Sequence, residues 1–218
     1  MRNALGNDAY IGTACDLSMG NPFLGKYFNN YRFGLDVGGG VWNEVLTTFF
    51  WGACVLSTHC GDLYVPNCDS VGFLPGLNDT DYMFVVNFAI ISRSFVETSG
   101  KYSAVSEDDK RLKILQNASE YLNNGEDVYY AKFNYRARGQ NYPEIMYIKS
   151  HFNSPDQNEN YRTVALFNPG EEEKTVECSV TDIELENAEY NIKDFWSGEE
   201  FTGNNIIASL KPHESRLF

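Results

Sequence analysis

The chain has 218 residues, 43% hydrophobic and 15% aromatic, so it can bury a sizeable core as one large domain or two small ones and is not a disordered segment. Its formal net charge is −13 and no Lys/Arg cluster occurs, which excludes a nucleic-acid partner, because nothing is present to hold a phosphate backbone. The cysteines Cys15, Cys54, Cys60, Cys68 and Cys178 are odd in number and form no CxxC pair, so neither a disulfide framework nor a structural zinc site is expected. Reduced thiols suit a cytoplasmic location, and Met1 to Gly6 carries no apolar signal-peptide core. No apolar run reaches membrane-spanning length, so no membrane association is expected.

In chain order, Ala9 to Asp16 is a short apolar run with a polar tip and reads as a buried strand of a parallel sheet. The Gly/Asn/Pro-rich stretch from Leu17 to Tyr31 reads as a long loop, the kind of segment that carries function. Trp42 to Leu56 is apolar and free of proline and predicts a buried helix. Cys60 to Val65 is expected as a second strand, followed by a loop at Pro66-Asn67-Cys68-Asp69. Asp79 or Thr80 is expected to cap a helix reaching about Phe95, with Phe84, Val85, Phe88, Ile91 and Phe95 as its apolar face. Ser106 is the expected cap of a further helix running to about Leu122.

The texture changes near residue 127. Short alternating runs follow, among them 145–152, 161–167, 174–180, 188–195, 206–210 and 215–218. They are separated by turn signals such as Asn168-Pro169-Gly170 and Ser197-Gly198, a rhythm that predicts an antiparallel β-sandwich. The first part holds roughly two or three strand–helix units, far short of the about 250 residues of a complete (β/α)8 barrel.

Chemistry concentrates in Tyr31-Arg32-Phe33-Gly34-Leu35-Asp36-Val37-Gly38-Gly39-Gly40-Val41-Trp42. An Arg and an Asp four residues apart, three glycines and a Trp describe either a sugar-handling carboxylate on a shaped loop or a surface turn with an i,i+4 ion pair. The glycines lack the Lys-Ser/Thr of a phosphate loop and the GxGxxG spacing, so no nucleotide cofactor is expected. His59, His151 and His213 are scattered and predict no metal site. Trp196 is expected in the sandwich core, and Asp62, Asp79 and Asp81 as caps or solvated loop residues.

Several stretches, in shared order, resemble the C-terminal portion of α-galactosidase-type glycoside hydrolases, whose clan pairs a (β/α)8 barrel with a C-terminal antiparallel β-sandwich. They are Tyr10-Ile11-Gly12-Thr13-Ala14-Cys15, then Arg32 to Val37 followed by Trp42, the Asp69 loop, and Thr98-Ser99-Gly100. The closing runs are Val164 to Asn168, Asp194-Phe195-Trp196-Ser197-Gly198, and Leu210 to Arg216. The resemblance implies a multidomain α/β plus all-β chain. Residues 1–126 would be the last strand–helix units of a TIM barrel and residues 127–218 the sandwich.

By the same resemblance Asp36 is the general acid/base, Arg32 holds the sugar, Cys15 lies in the sugar pocket, and Asp69 and Trp42 join the substrate site. The family's Asn-Asp-Pro-Asp loop is Pro66-Asn67-Cys68-Asp69 here, and its Ser-Asp after the last barrel strand is Ser99-Gly100. The family's nucleophilic Asp sits on a strand upstream of the one ending at Cys15. A retaining glycosidase needs two carboxylates about 5–5.5 Å apart. The expectation is therefore a chain that carries the acid/base without the nucleophile and is inactive alone. Its substrate would be a galactoside-like carbohydrate, with the missing N-terminal barrel half as a partner and no cofactor. The alternative is a non-catalytic carbohydrate-binding or structural module derived from such an enzyme.

Overall fold

The computed structural model describes residues 2–13, 26–32, 34–37, 40–59, 65–71, 76–92, 94–98, 103, 105–119, 128–133, 143–149 and 161–218. A short helix α1 (Arg2–Leu5) precedes β1 (Gly12–Thr13), β2 (Asn30–Arg32), β3 (Val65–Ser70) and β4 (Phe95–Glu97), which pair in that order in one parallel sheet. Helix α2 (Trp42–His59) joins β2 to β3, α3 (Asp79–Ile91) joins β3 to β4, and α4 (Lys110–Ser119) follows. The sheet has two unlike faces, set by the period of two along each strand. Tyr31 and Cys68 point to the helix side and are buried with Phe49, Phe84 and Phe88. Asn30, Arg32, Asn67 and Asp69 alternate with them and share the opposite, polar face.

Three boundaries differ from expectation. The segment expected as a loop, Pro66 to Asp69, is strand β3, while residues 60–64 lie outside the described residues. Pro66 is tolerated because the neighbouring Val65 N–H makes the bond to β2, donating to the Asn29 carbonyl at 2.8 Å; the Pro66 nitrogen then faces away from that strand. Helix α3 stops at Ile91, where the Ser92 N–H closes the last turn on the Phe88 carbonyl, so Phe95 belongs to β4 and not to the helix face. Helix α4 begins at Lys110, because Asp109 and not Ser106 takes the free N–H groups of its first turn, accepting from Arg111 at 2.8 Å and Leu112 at 3.3 Å.

The second part is antiparallel throughout. One sheet has the order β12 (Ser215–Leu217), β7 (Thr163–Phe167), β6 (Pro143–Ile148), β5 (Val128–Phe133). A second pairs β11 (Asn205–Leu210) with β8 (Lys174–Ser179), and a third pairs β10 (Glu200–Gly203) with β9 (Tyr190–Lys193). Strand β7 is buried along its whole length. Val164 and Leu166 face the second sheet, in a core with Val176, Cys178, Ile206 and Ala208. Ala165 and Phe167 face the helices, in a core with Phe49, Phe84 and Phe88.

Helix α3 is therefore covered by the parallel sheet on one side and by β6, β7 and β12 on the other. Every residue from Asp81 to Ile91 except Met83 is buried, which is why the single apolar stripe expected from the sequence is a helix apolar nearly all round. Asn87 makes two polar ties across this docking. Asn87, fully buried, donates to the Ser215 hydroxyl at 2.9 Å and accepts the Trp196 indole N–H at 2.7 Å. Trp196, expected as sandwich core, thus sits where the sandwich meets α3.

The turn carrying Trp196 is organised by Asp194, whose Oδ1 accepts the N–H groups of Trp196 and Ser197 at 3.1 and 2.8 Å. Its Oδ2 accepts from Arg216 Nη2 at 2.6 Å. Burial opposes ionisation of Asp194, but the Ser197 N–H and the Arg216 guanidinium outweigh it and hold the carboxyl below the usual carboxylate range. A carboxyl lowered in the folded state stabilises the fold above its unfolded value, near 3.9, and that stability is lost as pH falls through the lowered value. Asp194→Asn is expected to cost about 2 kcal/mol at pH 7. In urea titrations the gap from the unsubstituted chain should close as the pH drops through the acid range.

The shared aromatic core predicts cooperativity. Phe167 is fully buried, with its ring centroid 5.0 Å from those of both Phe49 and Phe84. Phe167→Ala should cost about 3–5 kcal/mol. Near-ultraviolet circular dichroism and tryptophan fluorescence should still report one unfolding transition, not separate melting of sandwich and helices.

Candidate functional site

The candidate site is built where three parallel strands end. Arg32 closes β2, Asp69 is the penultimate residue of β3, and Glu97 closes β4. The carboxyl ends of parallel strands are where α/β sheets place their ligands. Asp36 follows on the segment leading into α2, with a side chain 75% exposed.

One guanidinium spans two carboxylates. Arg32 Nη2 donates to Asp36 Oδ1 at 2.6 Å, and Nη1 donates to Asp69 Oδ1 at 2.9 Å. The two acids differ in burial: the Asp69 side chain is 7% exposed against 75% for Asp36. Asp69 also accepts the Val37 N–H through Oδ2 at 2.8 Å, and its own N–H donates to Asn67 Oδ1 at 2.8 Å. A buried carboxylate without such partners would cost several kcal/mol. Here the ion pair and the Val37 hydrogen bond hold it, with Asp69 in the left-handed region at φ 74°. A non-glycine residue kept there marks a spot where the surrounding structure overrides local preference, as functional sites do. The exposed Asp36 contact is worth about 1 kcal/mol or less, so it can be exchanged for a ligand group at little cost.

Below these charges, Asn67 Nδ2 donates to Glu97 Oε1 at 2.7 Å and to Asn30 Oδ1 at 3.2 Å. Asn30 is 3% exposed, and its Nδ2 has no partner among the described residues. Neither Asn30, Asn67 nor Glu97 was singled out by the sequence. The available signal was a period-two alternation, Asn67–Asp69 on one face and Cys68 on the other, hidden once the segment is read as a loop. Cys68 faces the helices, and burial pushes its thiol up to about 12, which makes it inert as a nucleophile.

A glycine on either side of Asp36 is closely packed. Gly34 lies against Thr48, where a Cβ would stand 2.2 Å from the hydroxyl oxygen. Gly40 has φ 74°, and its Cβ would stand 2.2 Å from the Gly76 Cα. Gly40→Ala is therefore expected to lower stability by about 2 kcal/mol or more, since backbone strain and a backbone clash coincide. Thermal unfolding monitored by circular dichroism checks this.

Trp42, expected to join the substrate site, is used for packing. Its ring stacks on His213 with centroids 3.7 Å apart and an interplanar angle of 13°, and meets the Phe84 ring edge-to-face at 5.1 Å. Its Nε1 is buried, and the residue as a whole is half-buried. Asp81, expected as a cap or solvated residue, is buried; its Oδ1 lies 2.8 Å from His213 Nδ1 and its Oδ2 accepts from Asn78. Cys15, Ser99 and Gly100 lie outside the described residues, as does His151. Among the described residues no group of three or more His, Cys, Asp or Glu side chains could hold a metal ion, and no helix is long and apolar enough to cross a membrane. A separate open cavity of about 830 Å³ lies in the sandwich, with Gln116, Tyr161, Tyr190, Ile192, Trp196 and Phe218 among its lining residues; it shares no residue with the Arg32 cluster.

The fold of a helix-flanked parallel sheet joined to an antiparallel sandwich is shared with solved glycosidases. Residues 152–218 match the model of the α-galactosidase C-terminal β-sandwich domain. Over nearly its whole length the chain resembles the C-terminal portion of α-galactosidase-like enzymes, as the sequence motifs imply. It superposes on a β-L-arabinopyranosidase from Geobacillus stearothermophilus with a TM-score of 0.71 at 18% identity, covering 95% of this chain and 49% of that one. For α-galactosidase I from Mortierella vinacea the TM-score is 0.66 at 15% identity, covering 89% and 53%. For the Saccharomyces cerevisiae α-galactosidase, solved with raffinose, it is 0.59 at 10% identity, covering 99% and 64%. The chain thus spans about half the length of the first of these proteins. No curated protein sequence matches it.

Proposed function

We propose that the chain is the C-terminal part of a retaining glycoside hydrolase that cleaves terminal α-galactoside-type bonds. Asp36 serves as the general acid/base, and Arg32, Asp69 and Cys15 hold the sugar. The parallel sheet is the closing portion of a (β/α)8 barrel, and the nucleophilic carboxylate is contributed by a strand not among these 218 residues. The observation that carries this reading is the unequal pair on Arg32. The buried Asp69 fixes the guanidinium, and the exposed Asp36 is free to meet a substrate. An acid must reach the glycosidic oxygen within hydrogen-bond distance, which an exposed carboxylate on a pinned loop can do. Val65 and Tyr10, 42% and 63% exposed near the same face, further support a surface that more of a barrel would cover.

The sandwich cavity, bordered by Tyr161, Tyr190 and Trp196, favours a second reading as a non-catalytic carbohydrate-binding module. Two measurements separate the readings. Under the first, the 218-residue chain alone leaves 4-nitrophenyl α-D-galactopyranoside uncleaved, while calorimetry detects galactose binding that Arg32→Ala weakens about tenfold or more, worth about 1.4 kcal/mol. Hydrolysis by the chain alone would overturn the external nucleophile. Galactose binding indifferent to Arg32→Ala would favour the module.

A further inference from the structure

We infer that Glu97 is a positioning residue for the sugar-holding carboxylate Asp69, acting through Asn67. This deepens the proposed function by adding a member to the same site. The contacts form one chain across the ends of three strands. Glu97 Oε1 accepts from Asn67 Nδ2 at 2.7 Å, Asn67 Oδ1 accepts the Asp69 N–H at 2.8 Å, and Asp69 holds both Arg32 and the Val37 N–H. An amide has a donor end and an acceptor end, and a flip exchanges them. Asn67 is 2% exposed, so water does not correct a wrong orientation. If it flipped, its NH2 would face the Asp69 N–H, donor against donor, and its oxygen would face the Glu97 carboxylate, acceptor against acceptor. The acceptor on Glu97 therefore dictates that Asn67 presents oxygen to Asp69. That bond supports the left-handed backbone of Asp69, from which its carboxylate reaches Arg32.

Asn30 reinforces the arrangement without replacing it. Its Oδ1 accepts the same Asn67 amide at the longer distance of 3.2 Å. Its buried Nδ2 has no partner among the described residues and remains available to a ligand oxygen on this face. The strand register that brings Glu97 here is local: β4 pairs β3 at Asn67↔Phe95 and again at Ser70↔Glu97, with a shift between. Glu97 thereby stands opposite Ser70, next to Asp69 along β3. The role asks for a hydrogen-bond acceptor at Oε1, not for charge, so Gln should replace Glu and Ala should not.

The test compares the unsubstituted chain with Glu97→Ala and Glu97→Gln by amide hydrogen exchange, reading the Val37 and Asp69 N–H groups against Ala165 and Ala208 in the sandwich. Glu97→Ala should speed exchange at Val37 and Asp69 tenfold or more with the sandwich amides unchanged, and Glu97→Gln should restore native rates. Galactose affinity should fall tenfold or more in the Ala variant and recover within twofold in the Gln variant. Unchanged exchange at Val37 and Asp69 in Glu97→Ala, a Gln variant as fast as Ala, or faster exchange throughout the sandwich would overturn the positioning role. Absence of galactose binding to all three proteins would count against the glycosidase reading, while the exchange comparison would still decide the role of Glu97.

Discussion

The carboxylate of Asp69 is the constraint on which the candidate site depends. It is buried on the polar face of the parallel sheet, where an unpartnered carboxylate is costly. Arg32 partners it from the neighbouring strand, and the Val37 N–H partners it from the loop beyond. Each partner is thereby given a place. Arg32 is turned so that its second terminal nitrogen faces outward, towards Asp36, and the backbone at Val37 is drawn back to the end of β3. The exposed acid is thus located by a buried one.

A second constraint concerns what surrounds the site. Helices α2 and α3 lie between the parallel sheet and the sandwich, and one aromatic cluster of Phe49, Phe84, Phe88 and Phe167 belongs to both parts. The division into strand–helix units and a sandwich describes topology, while the packing is continuous. Trp42 shows the link at the scale of a side chain. It begins α2 directly after the site loop, and its ring lies against His213, which the turn between β11 and β12 holds at φ 61°. The sandwich therefore reaches to within a few residues of Asp36.

Much of this was legible in the sequence, and the failures have identifiable causes. The i,i+4 spacing of Arg32 and Asp36 gave the ion pair directly, since only local geometry was involved. The alternating runs after residue 143 gave most of the sandwich strands for the same reason. Proline at position 66 hid β3, because a missing donor matters only on the side where a neighbour needs it, and that side is a tertiary fact. The end of α3 was misplaced because a helix covered on all sides offers no polar stripe whose loss marks its limit. Asn30, Asn67 and Glu97 were invisible because 67 residues separate the first from the last, and only the strand register brings them together. The packing of Trp42 was hidden for the same reason, since His213, which stacks on its ring, lies 171 positions later.

The burial of α3 on every side also sets a timetable. During synthesis this helix leaves the ribosome long before its second covering, since Leu217 of β12 lies 126 residues after Ile91. At about 5–20 residues per second that interval is roughly 6–25 s. Throughout it Phe84, Val85, Phe88 and Ile91 have only part of their final surroundings, and an apolar surface of that kind invites association with other chains. Asn87, fully buried within that stretch, waits equally long for Ser215 and Trp196. The nascent chain is most vulnerable between the end of α3 and the arrival of the last strand, the period in which a chaperone would have most to shield.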